Sequence, residues 1–249
     1  MHDLALLGVR VDRLDRAALT ASLLTAARAR ECRVYSYLNI HALNIASADP
    51  RFRTILNGAA VTYCDGEGVR VGARMLGRHL PPRTVLTYWI WDLCALFQDE
   101  GVSVYFLGGK SAVVAAAVEL IRKRFPRLRI AGWHHGYFNK SGGESKAVVD
   151  EINDAAPDLL FVGFGMPVQE YWIEENRPAL RTGAILPSGS MIDYVAGARR
   201  SAPPWMADHG LEWLYRFSRE PRRLWRRYLI GNPLFLFRVL CQRIRSGRG

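Results

Sequence analysis

The chain has 249 residues, 49% of them hydrophobic and 23% charged, which allows one large α/β domain with a sizeable core. Its four cysteines lie far apart, without a CxxC pair or a zinc-ligand spacing, so a zinc site is not expected and a reduced, cytosolic protein is favoured. The net charge of +11 is concentrated late in the chain, because residues 196–249 hold twelve of the 34 Lys and Arg but three of the 23 Asp and Glu, and this predicts an anionic partner.

The hydrophobic pattern predicts strands that alternate with helices along most of the chain. Strands are expected at 4–11, 33–38, 60–64, 102–107, 128–132, 158–162 and 184–186. Helices are expected at about 15–30, 42–48, 111–125, 145–155 and 169–176. Asp49 is expected to cap a further helix that begins at Pro50. Strands that alternate with helices of this length indicate a parallel sheet covered on both faces.

The composition changes near residue 197, because Pro203 and Pro204 mark a break and no later strand is predicted. We therefore expect an α/β domain over residues 1–197 and a basic, Trp- and Arg-rich helical appendage over residues 198–249.

Three interpretations of this appendage fit its interleaved Arg and aromatic residues: a nucleic-acid-binding segment, a helix on an anionic bilayer, or a solvated helix face. The apolar run LFLFRVL at 234–240, followed by Arg245 and Arg248, favours the bilayer. The first ten residues carry Asp3 and no long apolar stretch, so no signal peptide is expected, and no window approaches the roughly 20 apolar residues of a membrane span. Contact with a membrane is therefore expected to be peripheral.

Four loops follow predicted strands, at the edge where ligands bind in open parallel sheets. Their sequences are Asn39-Ile40-His41, Asp65-Gly66-Glu67-Gly68, Gly108-Gly109-Lys110-Ser111 and Gly163-Phe164-Gly165-Met166-Pro167-Val168-Gln169-Glu170. Glycines let a phosphate approach the backbone, and the helix after each loop supplies amide donors. Because a Walker loop and a GxGxxG fingerprint are both absent, the loops alone are a weak signal.

Asp65 follows an apolar strand and precedes Gly66, which frees the backbone to expose the carboxylate. Such a side chain can act as a general base on an acceptor hydroxyl, or it can cap a helix that begins near Gly68. No DxD pair follows a strand, so no metal is expected, and the charge of a pyrophosphate leaving group would fall to Arg, Lys or helix dipoles. Ser188-Gly189-Ser190 lacks the first glycine of a nucleophile elbow, so a hydrolase is not expected.

A set of motifs extends over nearly the whole chain. Its members are Asn39, Asp65-Gly66-x-Gly68, Phe106-Leu107-Gly108-Gly109, Gly136-Tyr137-Phe138, Gly163-x-Gly165-x-Pro167-x-Gln169-Glu170, Asp193-x-x-Ala196-Gly197, and Glu212-Trp213-x-x-Arg216 with Pro221 and Arg223. In this order and spacing they resemble the WecG/TagA/CpsF glycosyltransferases (glycosyltransferase family twenty-six). The GxGxPxQE motif and the EWxxR ending are the most specific parts of the resemblance.

The resemblance implies a Rossmann-like parallel sheet flanked by helices, with the C-terminal helical appendage as a membrane-association element. It also implies inverting, metal-independent transfer of a hexose or N-acetylhexosamine from a UDP-sugar to a polyprenyl-diphosphate-linked sugar, without a cofactor, in bacterial cell-surface polysaccharide synthesis such as that of an exopolysaccharide. The enzyme would lie peripherally on the anionic cytoplasmic face of the inner membrane, with no nucleic acid partner and with a homo-oligomer left open. The alternative is a nucleotide- or nucleic-acid-binding protein that uses the basic segment.

Residue by residue, the resemblance makes Asp65 the catalytic base. The arginines that it expects to meet the diphosphate are Arg216, Arg223 and Arg226. The residues that it assigns to the donor nucleotide are Gly108, Gly109, Tyr137, Phe164, Gly165, Pro167, Gln169 and Glu170. Those that it assigns to the acceptor are Asn39 and Arg83. Many family members have Gly-x-Asp after this arginine, whereas residues 84–92 read TVLTYWIWD, and Trp89 is expected either to stack on the sugar or to lie in the core.

Overall fold

The computed structural model describes residues 4–203, 205–206 and 210–246. The chain begins with an antiparallel hairpin of β1 (Leu4–Leu6) and β2 (Val9–Val11). The single strand predicted at 4–11 is therefore wrong. Leu7 and Gly8 have φ values of 53° and 81°, and two consecutive residues in this left-handed region reverse the chain within an otherwise apolar run.

The rest of the strands form one six-stranded parallel sheet, as predicted. They are β3 (Arg33–Leu38), β4 (Val61–Cys64), β5 (Val104–Gly108), β6 (Ile130–His134), β7 (Leu159–Gly163) and β8 (Ala184–Pro187). Their order across the sheet is β4-β3-β8-β7-β5-β6. Because all six run in the same direction, their carboxyl ends meet along one edge.

Nine helices among residues 4–203 accompany these strands. They are α1 (Arg16–Ala29), α2 (Ile40–Ala48), α3 (Pro50–Gly58), α4 (Glu67–Met75), α5 (Leu86–Glu100), α6 (Ser111–Arg124), α7 (Gly142–Ala155), α8 (Val168–Asn176) and α9 (Met191–Val195). The predicted cap at Asp49 is confirmed, since its carboxylate accepts a hydrogen bond from the Phe52 N–H and Pro50 is the first helical residue. The fold is thus α/β and Rossmann-like.

Alternate side chains of the strands enter two separate layers of core. Phe106 and Phe161 stack in the layer covered by α1, α5, α6 and α9, with ring centroids 5.1 Å apart. Neighbouring strand residues such as Leu107 and Leu160 enter the layer covered by α7 and α8. A parallel sheet buried on both faces accounts for the nearly continuous apolar runs of its strands.

Trp89 lies in the first of these layers. It is fully buried on α5, its indole N–H donates to the Thr20 hydroxyl at 3.0 Å, and its ring packs edge-on against Tyr63. The expectation that Trp89 stacks on a sugar is therefore wrong, and the alternative of a core tryptophan is correct.

The last described part of the chain is helical. It consists of α10 (Glu212–Arg219), α11 (Pro221–Trp225), a π-helical turn (Arg226–Ile230) and α12 (Gly231–Ser246). Among the residues described, no helix has both the length and the apolarity needed to cross a membrane.

Helix α12 docks onto the hairpin and the helices beside it. Phe235 and Val239 are fully buried in a third hydrophobic cluster, which also contains Leu6 of the hairpin. The Gln242 amide accepts from the Leu7 N–H and donates to the Ala5 carbonyl, each at 2.9 Å. Helix α12 thus contributes to the core of the α/β part, and the domain boundary near residue 197 stays a prediction.

Candidate active site

A cavity of about 770 Å³ opens at the carboxyl edge of the six strands. The residues that follow each strand line its floor, namely Asn39, Asp65, Gly109, Gly136, Phe164 and Ser188. Residues of α9, α10, α11 and the π-helical turn close the other side. The cavity therefore lies where open parallel sheets bind their ligands, between the α/β part and the basic C-terminal helices.

Asp65 is held at the β4 end of this floor. Its backbone N–H donates to the Leu38 carbonyl at 2.9 Å, which ties it to the neighbouring strand. Helix α4 begins at Glu67, with Gly66 in the capping position and no side-chain capping bond. Asp65 therefore does not cap this helix, and its carboxylate is left facing the cavity.

Asn39 has two hydrogen-bonding tasks beside Asp65. Its side-chain oxygen accepts from the Ala42 N–H at 3.1 Å and caps α2, while its side chain also hydrogen-bonds the Asp65 carboxyl. Asn39 therefore orients the carboxylate from a rigid helix terminus.

The electrostatic surroundings of Asp65 make it a weaker acid than usual. Burial, with a smaller contribution from Glu212, raises the pKa of Asp65 to about 6, although Arg216, Arg83 and the Asn39 hydrogen bond oppose the rise. A carboxylate with this pKa is ionised at neutral pH, yet it binds a proton more readily than an exposed aspartate.

Four of the arginines that line the cavity have no ion pair with a described carboxylate, namely Arg200, Arg216, Arg219 and Arg227. Arg200 and Arg219 are exposed, whereas Arg216 and Arg227 are half-buried at the cavity. The Arg216 guanidinium lies 5.3 Å from the centre of the Tyr194 ring, and Arg227 lines the same cavity beside His41. Among the described residues, no carboxylate lies within 4.0 Å of either guanidinium. Unpaired guanidinium groups facing a cavity favour a doubly charged anion such as a diphosphate.

Arg226, which the resemblance expects at the diphosphate, is not part of the cavity. Its guanidinium lies 5.2 Å from the centre of the Trp225 ring, and its side chain is exposed. The physical reason is the π-helical turn, in which the Gly231 N–H reaches back five residues to the Arg226 carbonyl. The wider turn directs Arg227 inward in place of its neighbour.

Arg83 lies at one side of the cavity and forms an ion pair with Glu212 of α10. Glu212 also accepts a hydrogen bond from the Tyr88 hydroxyl at 2.9 Å. Arg83 lines a second cavity, of about 130 Å³, that shares Asp65 and Arg216 with the first. The predicted acceptor residue Arg83 thus lies behind Asp65 and connects the α/β part to the C-terminal helices.

A second set of ion pairs crosses the opposite side. Arg199 contacts Asp193 of α9 at 3.6 Å and Glu220 at 3.3 Å, and Arg223 also pairs with Glu220. Arg223, the third arginine expected at the diphosphate, therefore lines the cavity in an already paired state.

The residues expected at the donor nucleotide fall into two groups. Gly109, Tyr137, Phe164 and Gly165 line the cavity, whereas Gly108, Pro167, Gln169 and Glu170 lie beneath its surface. Gly108 packs so closely on β7 that a Cβ would lie 2.5 Å from the Gly163 carbonyl oxygen. Pro167 occupies the capping position of α8.

Gln169 is fully buried and holds two cavity loops together. Its Oε1 accepts from the N–H groups of Gly165 and Gly189, each at 3.1 Å. Its Nε2 donates to Glu170 Oε1 at 2.8 Å and to the Tyr37 hydroxyl at 3.3 Å. Burial raises the pKa of Glu170 to about 7. Gln169 and Glu170 therefore shape the β7 and β8 loops from below.

The cavity also contains residues for which no individual binding role was predicted from the sequence, and they are Tyr37, His41, Lys140, Ser188 and Arg227. Burial and Arg227 lower the pKa of His41 to about 4. The Lys140 ammonium donates to the carbonyls of Gly136 and Phe138 at 2.7 and 2.8 Å. His41 and Ser188 follow strand ends and could have been selected by position, whereas Lys140 carries no such signal.

Comparison with known proteins identifies a family for the chain. A family model described as "Glycosyl transferase WecG/TagA/CpsF family" matches residues 4–249. The chain is similar to the N-acetylglucosaminyldiphosphoundecaprenol N-acetyl-beta-D-mannosaminyltransferase of Bacillus spizizenii, with 30% identity over 195 residues that cover 78% of this chain and 74% of the relative. It is also similar to a Staphylococcus aureus protein of the same name, with 28% identity over 201 residues that cover 81% and 77%.

Proposed function

The chain belongs to the WecG/TagA/CpsF glycosyltransferase family, and from this premise we propose its reaction. It transfers a hexosyl or N-acetylhexosaminyl group from a UDP-sugar, with inversion and without a metal, onto a sugar carried by a polyprenyl diphosphate. The observation that carries the proposal is a carboxylate of raised pKa, Asp65, in a cavity that also holds two half-buried arginines, Arg216 and Arg227, without an ion pair to a described carboxylate.

The donor nucleotide lies over the β5, β6 and β7 ends. Gly109 and Gly165 line the cavity without a side chain, and their φ values of 66° and 83° are ones that other residues rarely adopt. Tyr137 stands exposed at the rim. The first turns of α6 and α8 follow these loops and present amide N–H groups to an anion. Bare backbone and helix N-termini are suited to the phosphates and the flat base of a uridine nucleotide.

In the reaction, the acceptor hydroxyl oxygen forms a bond to the anomeric carbon as the bond from that carbon to the UDP oxygen breaks. The hydroxyl proton passes to Asp65, and UDP leaves with the bonding electron pair. Attack on the face opposite the leaving group inverts the anomeric configuration. The strand order separates Asp65, at the β4 end, from the β5 and β7 ends to which we assign the nucleotide, which supports a sugar held between them.

Charge on the diphosphates is met by arginines. Arg216 and Arg227 approach from the C-terminal helices, and Arg223 becomes available if the Glu220 pair opens. The acidic side chains that line this cavity besides Asp65 are Asp193 and Glu220, and both are paired with Arg199. The described cavity therefore supplies charge neutralisation through guanidinium groups, which supports a metal-independent transfer.

The lipid part of the acceptor brings the enzyme to an anionic membrane, on the cytoplasmic face in a bacterial cell. Leu229, Ile230 and Phe237 each expose more than half of their surface, at 56%, 52% and 63%. Further exposed apolar and basic side chains of this surface are Trp225, Leu236, Leu240, Ile244, Arg222, Arg226, Arg243 and Arg245. Exposed apolar side chains flanked by arginines fit peripheral binding to an anionic bilayer.

The test is an assay of transfer. The purified chain is mixed with UDP-glucose, UDP-N-acetylglucosamine or UDP-N-acetylmannosamine, and with N-acetylglucosaminyl-diphosphoundecaprenol in phosphatidylglycerol vesicles. We expect release of UDP and a lipid-linked disaccharide of inverted anomeric configuration, detected by mass spectrometry and NMR. A chain that binds UDP but forms no disaccharide with any donor would instead be a nucleotide-binding protein.

Arg227→Ala and Arg226→Ala form a matched pair for the site. Loss of a charged hydrogen-bond donor to phosphate is expected to lower kcat/KM for Arg227→Ala by about tenfold or more. Arg226→Ala is expected to keep the wild-type kcat/KM on an acceptor with a short, water-soluble lipid. Equal losses in the two variants would contradict the inward placement of Arg227.

A further inference from the structure

We propose that Tyr37 and Ser188 form the subsite that binds the transferred sugar, by donating hydrogen bonds to its ring substituents. The inference rests on the proposed function, and it assigns the part of the cavity that neither the base nor the nucleotide loops occupy. It concerns two hydroxyl groups on the cavity floor, one at the end of β3 and one directly after β8.

Ser188 is a buried hydroxyl without a partner. Its side chain is 5% exposed, yet its Oγ has no hydrogen-bond partner. The backbone of Ser188 is fully used, because its N–H donates to the Val162 carbonyl at 2.7 Å and its carbonyl accepts from the Met191 N–H at 3.0 Å. A buried hydroxyl left without a partner destabilises the protein, and a ligand that accepts a hydrogen bond from Ser188 removes this cost.

The Tyr37 hydroxyl is a second hydrogen-bond donor without an acceptor among the described residues. Its hydroxyl oxygen accepts from Gln169 Nε2 at 3.3 Å, and no acceptor among the described residues takes its own proton. Burial raises the pKa of Tyr37, and the nearby carboxylates of Glu170 and Asp65 raise it further, so the hydroxyl keeps its proton. The Gln169 bond fixes the oxygen while the proton remains free to turn towards the cavity.

The two hydroxyl groups lie on either side of Gly189. A Cβ at Gly189 would lie 2.8 Å from the Tyr37 hydroxyl oxygen, and a Cβ at Gly163 would lie 3.0 Å from Ser188 Oγ and 2.8 Å from the Gly189 carbonyl oxygen. The floor at this point is therefore made of backbone and two donors, without a bulky side chain between them.

The position of this patch matches the path of the reaction. The strand order β4-β3-β8-β7 places β3 and β8 between Asp65 and the nucleotide loop after β7. Neighbouring strands are about 4.8 Å apart, so roughly 14 Å separates the β4 and β7 ends. The group that moves from diphosphate to acceptor must occupy this interval, and Tyr37 and Ser188 are cavity-lining hydroxyl residues at the ends of the two strands within it.

The experiment measures binding, which does not require transfer. The Kd values of UDP and of UDP-glucose, UDP-N-acetylglucosamine and UDP-N-acetylmannosamine are determined by calorimetry for the wild type, Tyr37→Phe and Ser188→Ala. We expect each variant to raise the Kd of the best-bound UDP-sugar by about fivefold, the value of one hydrogen bond, and to leave the Kd of UDP unchanged.

Ser36→Ala is the matched control, because Ser36 is a buried hydroxyl on the same strand but lies outside this cavity. Thermal unfolding shows whether each variant is folded. The inference is overturned if both variants bind UDP-sugars as the wild type does, or if the Kd of UDP rises in parallel. If sugar discrimination depends on the two hydroxyls but no disaccharide forms, the sugar subsite stands and the proposed transfer fails.

Discussion

Replacing Asp65 by Asn tests the central chemical assignment, because it keeps the size of the side chain and removes the group that accepts the proton. Positioned general bases contribute about 10²–10⁴-fold to rate. We therefore expect Asp65→Asn to lose transfer by at least about a hundredfold, while UDP binding is unchanged because the nucleotide loops lie on other strands.

The pH dependence of the wild type follows from the same residue. With a pKa of about 6, Asp65 is mostly ionised at neutral pH. Below that value its ionised fraction falls about tenfold per pH unit, and we expect kcat/KM to fall with it. Above about pH 7 the carboxylate no longer limits the rate, so a plateau is expected there.

As the pH rises, the free energy of unfolding should fall while kcat/KM rises. The pKa of Asp65 is raised from 3.8 to about 6 on folding, so its ionised form opposes folding. This penalty is complete above about pH 6 and absent below about pH 4, and two pKa units correspond to about 3 kcal/mol. Asp65→Asn is therefore expected to raise the free energy of unfolding by up to about 3 kcal/mol at pH 7.5, and not at pH 4.

Urea denaturation at both pH values and the disaccharide assay measure the two effects. Asp92→Asn is a suitable control, because Asp92 forms an exposed ion pair with Arg16 far from the cavity. An active Asp65→Asn enzyme would refute the role of the base. An inactive variant that is less stable than the wild type at pH 7.5 would refute the burial penalty.

Three further outcomes are expected. Glu212→Gln removes one ion-pair partner of the mostly buried Arg83 and should lower the free energy of unfolding in urea by up to about 3 kcal/mol. The exposed Glu119→Gln control should lose less than about 1 kcal/mol, and similar losses in the two variants would contradict the argument. Gly189→Ala should lose transfer, because its φ is 54° and the new Cβ would crowd a tyrosine hydroxyl, whereas Gly143→Ala meets nothing within 4 Å and should stay active. Phe237→Glu should weaken cosedimentation with phosphatidylglycerol vesicles, and undiminished binding would exclude this surface as the membrane contact.

Much of the sheet could be predicted, because buried parallel strands are short apolar runs bounded by Gly, Asp and Pro. The strand Arg33–Leu38 has the predicted bounds. The hairpin of β1 and β2 could not be recognised, since a left-handed leucine at position 7 is set by the turn and not by residue preference. Helix Leu86–Glu100 was missed because apolar residues occupy most of its faces, so the helical period is weak.

The site was predictable to the extent that it depends on strand ends. Asp65 and Asn39 lie together because β3 and β4 are neighbours that end at the same edge. The role of Gln169 was not predictable, since its amide is fixed by N–H groups of two loops that are distant in sequence. Arg227 lines the cavity where Arg226 was expected, and this depends on a π-helical turn. A sequence pattern with the α-helical period cannot reveal such a turn.

The contact between helix α12 and the hairpin also has a consequence for synthesis of the chain. The Phe235 ring fits where Gly72 has no side chain, close to Leu6, so the hairpin completes its packing only after α12 has been made. At roughly 5–20 residues per second, this contact forms about ten seconds or more after the hairpin is synthesised. During that interval Asp65 has no Arg216 above it. Under the proposed mechanism, the growing chain therefore lacks the arginines that meet the diphosphate until its C-terminal helices have been translated.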